Sequence, residues 1–499
     1  MKLAQRIEGA LKAAVPGGFG GAAYALVQDG QVIVSGAYGD TKLTPDTPFR
    51  ICSLTKQMTA LMVLIAEEDG LLSLSDPILK HCRWAKICGE TVTLEHALTN
   101  QSGIKDYWCL AMAMGAEPES DFARMHADQL LAAPLDLDFE PGTRFAYSNT
   151  NFALLGQVLE AVYGEAFPDI MTEKLFIPLG MASSFVPPST SETLPGGLIG
   201  YEEDGSAAIT NLHWEGDAGV VSTAHDMSRW QLALLNPDHA YATHFARMTG
   251  PGHYSDGTRA PYRFGIRRRV RGGQLELAHF GGLRGWRSAS IVQPATGTGL
   301  VLLYNHMEDP AVAADSILDL AINAPAQAPS TPIADDRVNT MVFDPQMGLA
   351  ATYEQAGSAT VLHCASQSWC FDDGQLVSAT NDGGSLAEQG EQISVALPRD
   401  NITMQFEVLE PSEAQVTGTF RCEAIESNII IDKQLWFVGP LGKSQPYALQ
   451  WLRADLAIIP CARALDYDPP GMFTLVFDAA GLALGCWSFQ NLRFEKIAA

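Results

Sequence analysis

Hydrophobic and polar positions along the chain fall into two regimes. In the first, runs with helical spacing mix with strand-like ones: 57–66 (QMTALMVLIA) has the length and apolar spacing of a buried helix, 153–159 and 311–320 read as helices, and 274–278 reads as a strand. Residues 1–15 mix charged and apolar positions at helical spacing. The second regime is dominated by short β-prone runs such as 359–363, 393–397 and 428–431, set among Gly, Asp and Ser turn signals, and it predicts small antiparallel barrels or sandwiches. The seam is 324–332 (APAQAPSTP), a stiff Pro/Ala linker that cannot continue the preceding helix. A softer boundary near residue 416 rests on a fresh strand start at 416–420 after the turn-prone 411–413. The pattern therefore predicts a mixed α/β domain over 1–325, a linker over 326–338, and β domains over 339–415 and 416–499, with no internal repeat.

Composition agrees with this division. At 499 residues, 47% hydrophobic and 18% charged, the chain exceeds one core and suits two to four globular domains. Lys and Arg number 32 against 57 Asp and Glu, a net charge of −25 that argues against nucleic acid or an anionic membrane as a partner. No run approaches a membrane span, and the amino end lacks an uninterrupted signal-peptide core. Nine scattered cysteines, an odd number, read as reduced thiols, so a cytoplasmic protein is expected. His81, Cys82, Cys88 and His96 cluster in sequence without the spacing of a metal site, and no metal or cofactor is expected.

Candidate chemistry begins at Ser53-Leu54-Thr55-Lys56. A serine three residues before a lysine at the opening of an apolar helix puts both on one face of the first turn, where the amine can reach the hydroxyl. Unpaired backbone N–H groups there stabilise negative charge, and a desolvated lysine can act as a base. Alone, the pattern recurs by chance and more often marks an N-cap serine followed by a snorkelling lysine. Two further motifs change that balance. Tyr147-Ser148-Asn149 sits in a turn leading into the 153–159 helix, able to project a phenol and an amide into a cleft, and His279-Phe280-Gly281-Gly282 follows the 274–278 strand, with glycines that allow close approach of a substrate backbone.

Ser-x-x-Lys, Tyr-x-Asn and His-x-Gly in this order resemble the penicillin-recognising serine enzymes, among them serine β-lactamases and D-alanyl-D-alanine carboxypeptidases. Residues 98–104 (LTNQSGI) resemble that family's L-T-H-T-S-G-L stretch, with Asn100 where a histidine is usual, and 219–227 resemble its glycine-to-ST-x-x-DM segment. Many members carry a lysine, which helps hold a substrate carboxylate, where His279 stands. A neutral imidazole holds it less well, which disfavours carboxypeptidase or β-lactamase activity and favours an ester, an amide or a peptide cleaved at its amino end. Within the family the D-aminopeptidase branch is the nearest resemblance, through 51–57, 100–108, 279–287 and 441–444, and the tail fits the two small β-barrels of that branch. The resemblance implies a D-stereospecific aminopeptidase, a homodimer, that acts on small peptides or amides. β-Lactams are candidate inhibitors.

In the expected mechanism Ser53 attacks the scissile carbonyl, Lys56 and Tyr147 share the proton traffic with the base left open between them, and Asn149 orients Lys56 or the substrate amide. The backbone N–H of Ser53 and one from the strand, assigned to Gly282 beside Gly281, form the oxyanion hole, and His279 hydrogen-bonds at the cleft wall. The resemblance further matches 461–471 to a loop that reaches from the last barrel into the site, with a Pro-Pro-Gly tip and Asp466 as partner of the substrate's α-amine. An esterase or β-lactamase-like hydrolase, or a catalytically inactive binding module, are the alternatives.

Overall fold

In the computed structural model, residues 3–497 are described apart from 16, 41, 323–337, 357–358, 378–382, 411–415, 462 and 467–470. The Pro/Ala linker, the turn at 411–413 and the Pro-Pro of the 461–471 loop therefore lie outside the described residues.

The first domain is built on seven antiparallel strands in the order Gln31–Gly39, Gly21–Gln28, Thr298–Tyr304, Trp286–Gln293, Gln274–Leu283, Ile266–Arg271 and Tyr262–Arg263. Strict alternation places Ala22, Tyr24 and Leu26 against the helices Leu3–Ala14 and Pro310–Ile322, while Ala23 and Ala25 face the helical layer on the other side. That layer includes Thr55–Glu68 and Asn149–Tyr163. The first is buried nearly all round, with every residue from Thr55 to Leu64 inaccessible or nearly so, as its unbroken apolar run predicts. Asn149–Tyr163 starts four residues earlier than the 153–159 pattern, so Asn149 belongs to its first turn, and it ends on Gly164 in the left-handed conformation that glycine adopts without strain.

Beyond the seam lie two all-β units. Strands from Val338–Asp344 to Ile402–Val408 close into an eight-stranded antiparallel barrel through the Val342/Val408 and Phe343/Glu407 pairs, around a core that includes Leu362, Phe371, Val395 and Phe406. The last unit is a nine-stranded antiparallel sheet running from Gly442–Lys443 at one edge to Gln450–Arg453 at the other, a half-barrel whose two edges do not pair with each other among the described residues.

Both units grip the first domain. Phe420, Phe473 and Phe489 of the last sheet join the same core as the Thr55–Glu68 helix. The 441–444 hairpin docks on the end of the helix Tyr107–Ala113, where Leu441 N–H donates to Met114 O at 3.2 Å, and a Cβ on Gly115 would stand 2.2 Å from Gly442 O. Asp106 N–H donates to Ser488 O at 2.9 Å, and buried Lys105 bonds both Asp138 and Gln490 O. From the closed barrel, Asp400 O accepts Phe145 N–H at 3.1 Å and Arg399 O accepts the Tyr254 hydroxyl at 2.6 Å. No helix among the described residues is long and apolar enough to cross a membrane.

Candidate active site

The chain leaves the short strand Phe49–Arg50, reverses at Cys52 and enters a 3₁₀ turn, Cys52–Leu54, before Thr55 starts the α-helix. Ser53 therefore sits one turn ahead of the helix and Lys56 within its first turn. Cys52 makes the reversal in the left-handed region, φ 52°, at a cost of about 1–2 kcal/mol. The buried thiol is pushed up to about 12 by desolvation, so it stays neutral beside the serine. Thr55 accepts Val220 N–H and Thr59 donates to Gly216 O, which pins the helix to the 216–220 segment.

Lys56 is 0% exposed, and its Nζ has three partners: Ser53 Oγ at 3.0 Å, Asn149 Oδ1 at 2.7 Å and Asp217 O at 2.8 Å. Two of these can only accept. Asn149 Oδ1 is assigned as oxygen because the amide's Nδ2 donates to Asp106 Oδ2 at 3.1 Å, and the Asn149 backbone N–H donates to the same oxygen at 2.6 Å. A neutral amine has two protons and one lone pair, so once Asn149 and Asp217 hold both protons the lone pair faces Ser53 Oγ. Burial lowers the Lys56 ammonium to about 8, against the opposing charges of Asp217, Asp106 and Asp466.

Tyr147 lies close enough to Ser53 for the serine to act on its phenol, and Lys56 Nζ lies 4.9 Å from its ring centre. Desolvation first, then neighbouring Tyr262, hold its phenol well above the ordinary value, so it keeps its proton. His279 donates from Nδ1 to Phe280 O at 2.7 Å, which leaves Nε2 to accept the Tyr262 hydroxyl at 3.2 Å. Burial, and secondarily the Lys56 charge, drop it to about 3, so it stands neutral against the Tyr147 ring.

On the strand that carries His279, pairing with Ile266–Arg271 ends at Ala278, and from His279 to Leu283 that edge has no strand partner among the described residues. Gly281 lies against the nucleophile turn, where an added Cβ would come within 2.6 Å of Ile51 O and 2.9 Å of Cys52 Cβ. Gly282 pairs with Arg287 on the inner strand. At the end of this strand Arg284 N–H donates to Asp466 O at 2.8 Å, bringing the last sheet's loop to the cleft. Asp466 is 5% exposed, and its charge is felt by Lys56, Cys52 and Tyr107. Glu119 bridges the Arg284 and Arg463 guanidiniums at 3.1 and 2.9 Å, holding both ends of that contact.

Ser53 and Asn149 thus meet on Lys56, Tyr147 and His279 stand together beside them, Gly281 lies against the turn before Ser53 with Gly282 next to it on the strand, and Asp466 is near enough for its charge to reach Lys56. Sequence reasoning missed Asp106, Asp217, Tyr107 and Tyr262. Asp106 caps the helix Tyr107–Ala113 through Trp108 N–H at 2.9 Å and also fixes Asn149, while Tyr107 Oη donates to Asp217 Oδ2 at 2.7 Å. An aspartate just ahead of a helical run is a readable cap signal, but its second partner lies 43 residues away. Asn100, standing where a histidine is usual, ties the motif loops together: Oδ1 accepts Ser148 N–H and Asn151 Nδ2, and its carbonyl accepts Ala146 N–H.

A serine paired with a buried lysine at a helix start, beside an open strand edge on an α/β sheet, defines a serine hydrolase of the β-lactamase kind. The chain belongs to the Beta-lactamase family, whose profile matches residues 4–324, and residues 336–495 match "D-aminopeptidase, domain B". It is 31% identical to a D-aminopeptidase of Gluconobacter oxydans (strain 621H) over 98% of this chain and 97% of that one. A D-aminopeptidase of Brucella melitensis biotype 2 (strain ATCC 23457) is 28% identical over 96% of both chains. Among solved structures, the octameric penicillin-binding protein homologue from Pyrococcus abyssi shares the fold over 88% of this chain and 98% of its own (TM-score 0.56, 20% identity). A D-stereospecific amidohydrolase from Streptomyces sp. shares it over 63% and 97% (TM-score 0.53, 23% identity).

Proposed function

We propose that this chain is a D-stereospecific aminopeptidase that releases small N-terminal D-residues from peptides, amides and esters through an acyl-enzyme on Ser53. The observation that carries the aminopeptidase reading is the buried Asp466 carboxylate, delivered by another domain to the edge of the serine-lysine cleft. Such a group suits a protonated α-amine, and placed there it limits the room beyond the first residue. The preference for the D configuration rests on the relatives' names.

Lys56 is the base in this reading, since its lone pair faces Ser53 Oγ and its titration lies near neutrality, whereas Tyr147 holds its proton far above it. As Oγ bonds to the scissile carbon, its proton passes to Lys56. The oxyanion is received by Ser53 N–H and an N–H of the strand edge, assigned to Gly282 with Gly281 keeping the approach open. Tyr147, whose phenol lies beside Ser53, protonates the departing nitrogen as the C–N bond breaks, and the adjacent Lys56 ammonium stabilises the phenolate. Lys56 then passes its proton to the Tyr147 phenolate and is neutral again, so when water attacks the ester Lys56 takes the water's proton and returns it to Ser53 Oγ as the ester bond breaks. Asn149 holds Lys56 in line, and neutral His279 shapes the cleft wall.

Because His279 carries no charge where many relatives have a lysine, β-lactams should inhibit or turn over very slowly, and rapid β-lactam hydrolysis would contradict this reading. A cytoplasmic location and a homodimer belong to the same proposal, on the sequence and resemblance grounds above. The deciding experiment compares D- and L-aminoacyl amides with simple esters, using wild type and Ser53→Ala. Turnover of D-alaninamide that Ser53→Ala abolishes supports the proposal, and L-preference or substantial activity in Ser53→Ala overturns it.

A further inference from the structure

Residues 258–262 run between two cavities. Tyr262 faces the one beside Tyr147 and His279, whereas Thr258, Arg259 and Ala260 line another, of about 350 Å³, where the first domain meets Pro398 and Arg399 of the closed barrel. Pro261 and Arg399 belong to both. The dividing segment is held on its two sides: Gly252 pairs with Ala260 and His253 with Arg259, and Arg268 N–H donates to Pro261 O at 2.6 Å. The cavity on the Arg259 side contains none of the residues assigned to the reaction.

Its lining holds four guanidiniums and no carboxylate among the described residues, in a chain of net charge −25. Two of the four are neutralised. Arg269 is paired with Glu276 at 2.8 Å and Asp315 at 2.6 Å, and Arg399 with Asp400 at 2.9 Å. Asp256, close by in sequence, is turned to Thr258 N–H at 2.8 Å and Asn401 Nδ2 at 3.1 Å. Arg259 and Arg268 have no carboxylate partner among the described residues. Arg268 gives one N–H to Thr249 O at the end of the helix Ala242–Thr249, which leaves most of its fork unused. Burial, and then the Arg259 charge, hold the Arg268 guanidinium below its ordinary value, so an anion between the two would relieve their repulsion and fill open donors. Most of the remaining wall is apolar, formed by Pro251, Ala260, Pro261, Val270, Leu275 and Pro398, and Val270 stands 40% exposed on its strand. A bare inorganic anion would leave that surface wet, whereas an organic body would cover it. We propose that this cavity is a binding site for a small organic anion, whose carboxylate or phosphate end sits between Arg259 and Arg268 and whose apolar body lies along Val270, Leu275 and the prolines. Because Pro261 is shared and the next residue, Tyr262, holds His279 Nε2 at 3.2 Å, occupancy is felt at the active site.

The site stands apart from the aminopeptidase reading, and its test needs no peptide substrate. Titration calorimetry at low salt compares hexanoate, hexyl phosphate, inorganic phosphate and hexanol on wild type, Arg259→Gln, Arg268→Gln and Arg267→Gln, the last lying in the cavity beside His279. Hexanoate or hexyl phosphate should bind wild type with Kd of about 1 mM or tighter, and inorganic phosphate and hexanol about tenfold or more weakly. The tighter of the two hexyl anions identifies the headgroup. Binding should fall about tenfold in Arg259→Gln, an exposed position, and in Arg268→Gln, and stay unchanged in Arg267→Gln. No binding by either hexyl anion, binding of inorganic phosphate as tight as theirs, or a loss in Arg267→Gln with none in Arg259→Gln overturns the site; the first and second of these need no variant to fold. The saturating anion should also change the rate at which p-nitrophenyl acetate acylates Ser53 by about twofold or more in wild type and not in Arg259→Gln. An unchanged rate with binding intact overturns the coupling to the active site.

Discussion

Replacing Gly281 by alanine adds one methyl group at the tightest contact of the site. The new Cβ would stand 2.4 Å from Ser288 Oγ, 2.6 Å from Ile51 O and 2.9 Å from Cys52 Cβ. Ser288 Oγ already donates to that same carbonyl at 2.8 Å, so rotating it away breaks a buried bond without clearing the other two contacts. Gly281 has no left-handed backbone requirement, which leaves the collision as the only objection to a side chain. To regain a separation of about 3.4 Å, the Ile51 oxygen must retreat by about 0.8 Å, and Ile51 lies two residues before the nucleophile. Overpacking of this kind costs about 1–3 kcal/mol, which a chain with cores this extensive absorbs while remaining folded. Displacing the serine by most of an ångström costs about a hundredfold in rate. Initial rates on D-alaninamide should therefore show kcat down by about a hundredfold with KM little changed, and thermal unfolding should remain a transition only a few degrees lower. A variant with kcat within twofold of wild type would refute the claim that this glycine sets the position of Ser53.

The pH profile follows from Lys56: the base works deprotonated, so kcat/KM should rise with pH through an apparent value of about 8, and a rising limb absent near 8 and displaced above the ordinary phenol range would transfer the role to Tyr147. Free-amine substrates should show an added falling limb near 8 as their own ammonium is lost, and its absence would remove the need for a charged amine. Asp466→Ala should cost about 3 kcal/mol, two powers of ten in kcat/KM, for free-amine substrates while sparing those without the amine; equal losses on both would take Asp466 out of the site. Asp106→Asn leaves one acceptor oxygen where Trp108 and Asn149 now use two, and removes one of the charges that raise Lys56. Activity should fall and the rising limb move below 8, and a loss of activity with an unmoved limb would mark Asp106 as merely structural.

What could be read from the residues divides by range of interaction. Ser53 and Lys56 are three apart, and spacing on a helical turn is a local property, so their meeting was legible, although the serine stands on a 3₁₀ turn ahead of the α-helix rather than inside it. The Tyr-x-Asn and His-x-Gly motifs were recognisable as a set only through their order. Nothing local marks Asp217, which serves Lys56 through its main-chain carbonyl, or Tyr262, which meets His279 because neighbouring strands bring them together. The two β units show the same limit. Alternation revealed strands, but whether a sheet closes depends on how its first and last strands meet, so a sealed barrel and an open nine-stranded sheet look alike in sequence.

The contact between Arg284 and Asp466 also sets an order in time. Ser53, Lys56, Tyr147 and Asn149 all lie in the first 149 residues, the strand edge ends at Leu283, and Asp466 follows 183 residues later. At about 5–20 residues per second of synthesis, roughly 10–40 s separate their emergence. On the proposed reading the nascent chain carries its nucleophile well before the group that recognises the amine, and translation halted in that interval leaves a serine-lysine pair with no discriminator. Choosiness is the last component to be made, and in a truncated product it is the first to be missing.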